Sequence, residues 1–221
     1  MYKYDKVGGE YVLSEDNQPV LTPGGNAFST AYEDLAALLC NDLNEYGPNP
    51  FDSSSYVTLH TSYTDFGYAV EKSELIANII LGYTPEWDIA IAQLSAFNRQ
   101  FTSPLAPTTP AKTGINLDPV LFWGPLVETS VIQTWLENLS LRTLCSIQVC
   151  GASFQSVHVG YALLQEDHPW PIISLAQGII AYSETIPTSL TVNNNQQATE
   201  QRVIGFLGKI KTYANIPDER F

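Results

Sequence analysis

Residues 10–28, EYVLSEDNQPVLTPGGNAF, determine how the amino-terminal part of the chain is interpreted. Two short apolar runs are separated by a polar cluster that contains Asp16 and Asn17, residue types suited to local turns. The second run leads into Thr22-Pro23-Gly24. Proline fixes φ at the first central position of a type II turn, and glycine accepts a positive φ at the second. The stretch therefore predicts two short strands, a loop between them and a tight turn after them.

The sequence on both sides of this stretch extends the same pattern. YKYDKV (2–7) is a further short strand, and Gly8-Gly9 can connect it to the next one. SYVTLHTSY (55–63) alternates between two sets of side chains, which predicts another strand. Between these strands, Thr30 and Glu33 have the spacing of a capping box, so a helix is predicted to follow. Its apolar stripe comprises Leu35, Leu38, Leu39 and Leu43, and Gly47-Pro48 ends it.

After Gly67 the apolar residues recur with a helical period. A Ser/Thr/Pro-rich connection is predicted at 101–114. The predicted helices are VEKSELIANIILGY (70–83), 84–98, a short one from Asp118-Pro119, 126–139, 140–165, 172–184 and a last one through Tyr213. The predicted fold class is α+β: a small β-rich N-terminal domain with one helix (residues 1–70), followed by a larger α-helical domain (residues 71–221).

The charge balance limits the classes of partner. The chain has 23 acidic and 10 basic residues and a formal net charge of −13. Such a surface repels phosphate backbones and anionic headgroups, so we expect neither nucleic acid nor a membrane surface as a partner. MYKYDKVGGE (1–10) has no apolar signal core and no later run approaches a membrane-spanning length, which predicts a cytoplasmic protein. Cys40, Cys145 and Cys150 are too few and too irregularly spaced for a disulfide framework, so we expect buried, reduced thiols.

No motif in the sequence carries a recognisable chemistry. Gly24-Gly25 lacks the spaced glycines and the lysine of a phosphate-binding loop. Ser153 lacks the second glycine of a nucleophile elbow, and His60, His158 and His168 show no metal-ligand spacing. We therefore predict no catalytic, cofactor-binding or metal-binding residues, no cofactor and no enzymatic activity. The alternative left open is a small-molecule hydrolase whose site is assembled by folding from dispersed Asp and Glu residues, His60 and tyrosines.

A row of small residues offers a second kind of interface. Ala152, Ser156 and Gly160 recur every four residues and would share one face of a helix. Small side chains let a neighbouring helix approach closely, so this face indicates a tight internal crossing. The other interpretation is a shallow groove for the helix of a partner.

The opening stretch also resembles the amino-terminal signature of the assembly chaperones for the alpha subunit of ATP synthase's soluble catalytic sector. The family shows a strand, an Asp-containing turn, a Pro-x-x-Thr-Pro segment ending in a small-residue loop, and then a helix. The matching positions are Asp16, Pro19, Thr22, Pro23, Gly24, Gly25 and Asn26. LDPVLFW (117–123) and residues 140–164 resemble later family segments. The chain departs from the family at residues 53–67 and at AYSETIPTS (181–189), where the family has an acidic segment with Trp-Gln.

This resemblance implies a small β domain followed by an α-helical domain, and a chaperone that needs no cofactor. Its client would be a newly made ATP synthase alpha subunit, whose exposed interface the chaperone covers until the proper partner arrives. The protein-binding residues that the resemblance indicates are Pro23, Gly24 and Gly25, and Phe122 and Trp123 are candidate apolar anchors. A third interpretation is an interaction module that kept the fold and lost this client.

Overall fold

The computed structural model describes residues 1–46, 55–67, 69–81, 129–154, 157–164, 171–185 and 196–219. Within these ranges the fold is α+β, as predicted: an antiparallel sheet comes first and helices follow. The strands are β1 (Tyr2–Val7), β2 (Glu10–Glu15), β3 (Gln18–Pro19) and β4 (Ser29–Thr30). The helices are α1 (Glu33–Tyr46), α2 (Tyr56–Asp65), α3 (Lys72–Leu81), α4 (Thr129–Glu137), α5 (Leu141–Phe154), α6 (Val157–Leu164), α7 (Ile172–Thr185) and α8 (Gln196–Ala214).

The sheet is organised around β2. β1 pairs with β2 along its whole length, so β3 and β4 share the opposite edge of β2. The β1–β2 turn uses Gly8 and Gly9, with φ of 61° and 102°, and the β2–β3 turn uses Asp16 and Asn17, with φ of 50° and 63°. Two successive residues with positive φ give the turn that matches the twist of a hairpin. The strands and turns of residues 2–19 agree with the sequence prediction.

The predicted strand at residues 55–63 is wrong, because this stretch forms helix α2. Ser55 caps the helix: its side chain accepts a hydrogen bond from the Thr58 amide. Seven of the ten residues of α2 are buried, from Tyr56 to Tyr63. A helix that is buried on nearly all sides has no one-sided apolar stripe. The helical period is therefore not visible in the sequence, and the alternation of residue types is not evidence of a strand.

The predicted capping box at the start of α1 is also wrong. Thr30 lies in β4, and α1 begins at Glu33 itself. The carboxylate of Glu33 accepts a hydrogen bond from the Tyr11 hydroxyl at 3.0 Å instead. The leucine stripe is confirmed: Leu35, Leu39 and Leu43 are buried and Leu38 packs against them.

Buried side chains of the sheet and of the helices belong to one hydrophobic cluster. Leu13 of β2 and Phe28 before β4 join this cluster with residues from every helix that has described buried side chains. α5 packs against α2, α3, α6 and α8, so it is central to the helical part. The proposed domain boundary near residue 70 stays a prediction.

Other predicted elements have mixed outcomes. The run from Ser140 is described as α5 and α6, and Ser140 caps α5 by accepting from the Thr143 amide at 3.1 Å. α8 begins at Gln196, inside the polar stretch TVNNNQQATEQ (191–201), which the sequence predicts to be a loop before this helix. The helix 84–98, the connection 101–114 and the helix from Asp118 lie outside the described residues. Among the helices that are described, none is both long and apolar enough to cross a bilayer.

The small-residue face is not continuous. Ala152 is exposed, and Ser156 lies outside the described residues. Gly160 does mediate a close approach: a Cβ there would lie 3.1 Å from the Ile147 side chain of α5. Gly160 therefore allows α6 to pack tightly on α5, which is the internal crossing that the sequence indicated.

Candidate functional site

The loop that carries the family resemblance is held against the end of α2. Thr22 and Asn26 close a three-residue hairpin loop: the Thr22 amide donates to the Asn26 carbonyl at 2.8 Å, and the Gly25 amide donates to the Thr22 carbonyl at 2.9 Å. The positive φ of 81° falls on Gly25, so the predicted type II turn with a left-handed Gly24 is wrong. A positive φ at the last loop position is typical of three-residue hairpin loops.

One carboxylate fixes this loop in place. Asp65, the last residue of α2, accepts hydrogen bonds from the Thr22 hydroxyl, from the Gly24 amide at 2.8 Å and from the Asn26 side-chain amide at 2.8 Å. A Cβ on Gly24 would lie 2.6 Å from the Asp65 carboxylate, so a side chain at position 24 does not fit. We call these residues, Thr22, Gly24, Asn26 and Asp65, the Asp65 clamp.

The clamp presents the predicted contact residues at the surface. Pro23, Gly24 and Gly25 are all exposed. Two large apolar side chains flank the clamp in the chain: Leu21 is 59% exposed and Phe66 is 52% exposed. The other predicted anchors, Phe122 and Trp123, lie outside the described residues. The clamp therefore gives a rigid, solvent-facing loop with apolar neighbours.

A second polar cluster lies inside the protein. Arg142 of α5 is fully buried, and its Nη2 donates to Glu219 Oε1 at 2.7 Å. The guanidinium carbon lies 4.1 Å from the ring centroid of Tyr63 and 4.8 Å from that of Tyr213, so two aromatic faces enclose the cation. Thr30 adds a hydrogen bond from its hydroxyl to the same Glu219 oxygen at 2.5 Å. Charge pairing and ring contacts together compensate part of the cost of burying the guanidinium.

His60 of α2 lies next to this cluster and is fully buried. Its Nε2 is 2.8 Å from the Ser29 carbonyl oxygen, an acceptor, so Nε2 carries the proton. Its Nδ1 then accepts from the Tyr213 hydroxyl at 2.9 Å. Burial lowers the pKa of His60 to about 4, and burial raises the pKa of Tyr213 well above its usual value. At neutral pH both groups are uncharged and mutually hydrogen-bonded, as a structural pair requires.

A buried carboxylate connects three helices at the beginning of α2. Asp42 of α1 accepts from the Tyr56 amide at the start of α2. The ammonium of Lys209 in α8 donates to Asp42 Oδ1 at 3.0 Å and lies 5.3 Å from the Tyr56 ring centroid. Asp42 thus ties the beginning of α2 to both α1 and α8.

The cysteines have the environment that the sequence predicted. Cys40, Cys145 and Cys150 are buried and free. Burial raises the pKa of Cys145 and of Cys150 to about 12. Because the thiolate is the reactive form, these two thiols have no nucleophilic character at neutral pH.

Sequence reasoning missed the buried cation. Arg142 stands within the apolar run LRTLCSIQVC (141–150), and a basic residue at such a position must be paired if the helix is buried. That signal was available. The partner of Arg142 could not be identified from the sequence, because Glu219 is 77 residues away in the chain and no local spacing connects the two.

The described part of the chain shows no constellation of metal ligands. No group of three or more His, Cys, Asp or Glu residues there could hold a metal ion. Ser153 is partly buried in α5, His168 lies outside the described residues, and the side chain of His158 is not described. Comparisons with protein-family models, with curated proteins and with solved structures found no significant match to the chain. The resemblance to the ATP synthase assembly chaperones therefore stays a prediction from the sequence.

Proposed function

We propose that this chain is a chaperone-like protein-binding factor that uses the loop of the Asp65 clamp and its apolar neighbours to contact a protein client. The observation that carries the proposal is the clamp itself. Three hydrogen bonds to one carboxylate hold Pro23, Gly24 and Gly25 rigidly at the surface. A preformed loop loses little conformational entropy when it binds.

The flanking side chains supply the apolar contact that a client interface needs. Leu21 and Phe66 are both more than half exposed, and each is next in the chain to a clamp residue. Burying such a side chain against a partner contributes about 1.5–3 kcal/mol. The formal net charge of −13 would at the same time repel acidic proteins, which limits the choice of partner.

The proposed client is the alpha subunit of the ATP synthase catalytic sector. This choice of client is based on the resemblance at residues 19–26 alone. In this role the protein shields an alpha-subunit interface during assembly of the catalytic sector, and it needs no cofactor. The hydrolase alternative gains no support from His60, which is fully buried and hydrogen-bonded on both ring nitrogens.

Binding of the purified alpha subunit to the full chain, followed by fluorescence anisotropy, tests the proposal. The test variant is Leu21→Ser/Phe66→Ser. The control is Val7→Ser, because Val7 is 60% exposed, about as much as Leu21, and lies on β1. We expect the double variant to weaken binding by about tenfold or more, and the control to leave the affinity unchanged.

The two parts of the proposal fail separately. If the alpha subunit binds no better than an unrelated nucleotide-binding protein, the client is wrong. If it binds but the double variant and Val7→Ser have the same affinity as the wild type, the contact surface is wrong.

A further inference from the structure

The segment 215–219, which follows α8, returns to the beginning of α5. Its last hydrogen bond to α8 runs from the Ile216 amide to the Tyr213 carbonyl, at 3.1 Å. Asn215, Pro217 and Asp218 are exposed, whereas Glu219 is buried. The segment forms no helix or strand, so side-chain contacts rather than a backbone ladder hold it in place.

Asp218 binds the amino terminus of α5. One carboxylate oxygen accepts from the Leu141 amide at 2.8 Å, and the other accepts from the Arg142 amide at 2.9 Å. Both amides belong to the first turn of a 14-residue helix, whose N–H groups have no partners within the helix. A carboxylate at this position is also favoured by the helix dipole.

Glu219 binds a separate set of donors. Oε1 accepts from Arg142 at 2.7 Å and from the Thr30 hydroxyl at 2.5 Å, and Oε2 accepts from the Ala31 amide at 3.1 Å. The Glu219 amide donates to the Tyr63 hydroxyl at 2.8 Å. Each of the two adjacent carboxylates thus has its own donors, which come from α5 for Asp218 and from Thr30, Ala31 and Arg142 for Glu219.

The arginine provides an independent sign that this is a binding site. Arg142 is fully buried, yet among the described residues its Nε and Nη1 have no hydrogen-bond acceptor. A guanidinium can donate five N–H groups, and Glu219 engages it through one nitrogen only. The site therefore has more capacity for an acidic ligand than the segment uses.

We propose that the donors around Arg142 form a binding site for a peptide with adjacent Asp and Glu residues. The segment 215–219 fills this site in cis, and a separate peptide of the same sequence can fill it in trans. This site goes beyond the proposed chaperone function and does not rest on it. The segment belongs to no helix or strand, so its departure breaks no backbone ladder, but it leaves the Arg142 charge without Glu219 until a peptide replaces it.

The experiment uses the full chain with a protease site inserted after Asn215. The chain is folded, cleaved and incubated with a fluorescein-labelled peptide IPDERF (216–221), and binding is measured by anisotropy. The uncleaved insertion variant is the control, because its own segment still occupies the site. A second peptide carries Asp218→Asn and Glu219→Gln.

We expect the labelled peptide to bind the cleaved chain saturably and to be displaced by the unlabelled peptide. The neutral peptide should bind at least about 100-fold more weakly, because it loses the charge of both recognised carboxylates. The uncleaved variant should bind neither peptide.

Three results would overturn the proposal: no entry of the labelled peptide after prolonged incubation, equal affinity for the neutral peptide, or unfolding on cleavage that excess peptide does not reverse. Circular dichroism would support the proposal if cleavage unfolds the chain and excess IPDERF restores the fold while excess neutral peptide does not.

Discussion

Truncating Glu219 should be one of the most damaging single substitutions in this protein. Glu219→Ala removes the carboxylate from Arg142, and the side chains of this pair are 1% and 0% exposed. Breaking a buried pair by removing one partner costs about 3–5 kcal/mol, since the remaining charge is left buried without compensation. The Thr30 hydroxyl and the Ala31 amide lose the same acceptor, and these two lost hydrogen bonds are included in the cost of about 3–5 kcal/mol.

That cost is large compared with the whole stability of a domain, which is typically about 5–15 kcal/mol. For a chain of this size, about 2–4 °C of Tm corresponds to each kcal/mol. Glu219→Ala should therefore lower Tm by about 6–20 °C, and urea denaturation should show the matching loss of unfolding free energy. Glu45→Ala, at an exposed position of α1, is the control and should stay within about 0.5 kcal/mol.

A double-mutant cycle isolates the pair itself. Arg142→Met keeps the volume of the side chain and removes the charge, so adding it to Glu219→Ala should cost less than the two single losses together. A Glu219→Ala variant within about 1 kcal/mol of the wild type would refute the argument. Strict additivity of the two changes would do the same.

The remaining predictions concern a glycine, a histidine and two thiols. Gly24→Ala should lower the free energy of unfolding in urea by about 1–3 kcal/mol, because the added Cβ displaces the clamp carboxylate. The control Gly205→Ala has open space around it in α8 and should raise the free energy of unfolding by about 0.5–1 kcal/mol. Equal effects of the two variants would contradict the clamp. Because the pKa of His60 is lowered to about 4 from 6.5, the unfolded chain takes up the proton first. The contribution of neutral His60 to the free energy of unfolding should thus be fully present above pH 6.5 and fall by up to about 3 kcal/mol towards pH 4. A His60→Gln chain should lack this pH-dependent contribution at every pH tested. Cys145 and Cys150, with pKa values near 12, should resist iodoacetamide at neutral pH in the native protein and react in concentrated guanidinium chloride, as mass spectrometry would show; labelling of the native protein would contradict their burial.

The sequence was sufficient where local chemistry decides the structure. Paired turn residues such as Asp16 and Asn17 specify a tight hairpin by themselves, and the leucines of α1 specify one buried face. It was insufficient for α2, which is enclosed on nearly all sides. Buried positions then follow no period, and the capping signal at Ser55 is a better guide than the alternation of side chains.

The candidate site divides in the same way. The clamp loop was recognisable from its proline and glycines, but its anchor, Asp65, is 41 residues from Gly24 in the chain, and no local spacing connects the two. Arg142 and Glu219 are even farther apart, so no spacing rule connects them. Long-range polar pairs need the fold before they can be identified.

Asp42 has a consequence for how the chain can vary. Its carboxylate holds the Tyr56 amide and the Lys209 ammonium, so α1 and α8 both help to fix the position of the first turn of α2. Insertions or deletions between residues 47 and 54 should then leave the helix where it is, since doubling the length of a connection costs only about 0.6 kcal/mol. An insertion placed there, as in an engineered fusion, should therefore leave the contacts of Asp42 with α2 and α8 intact.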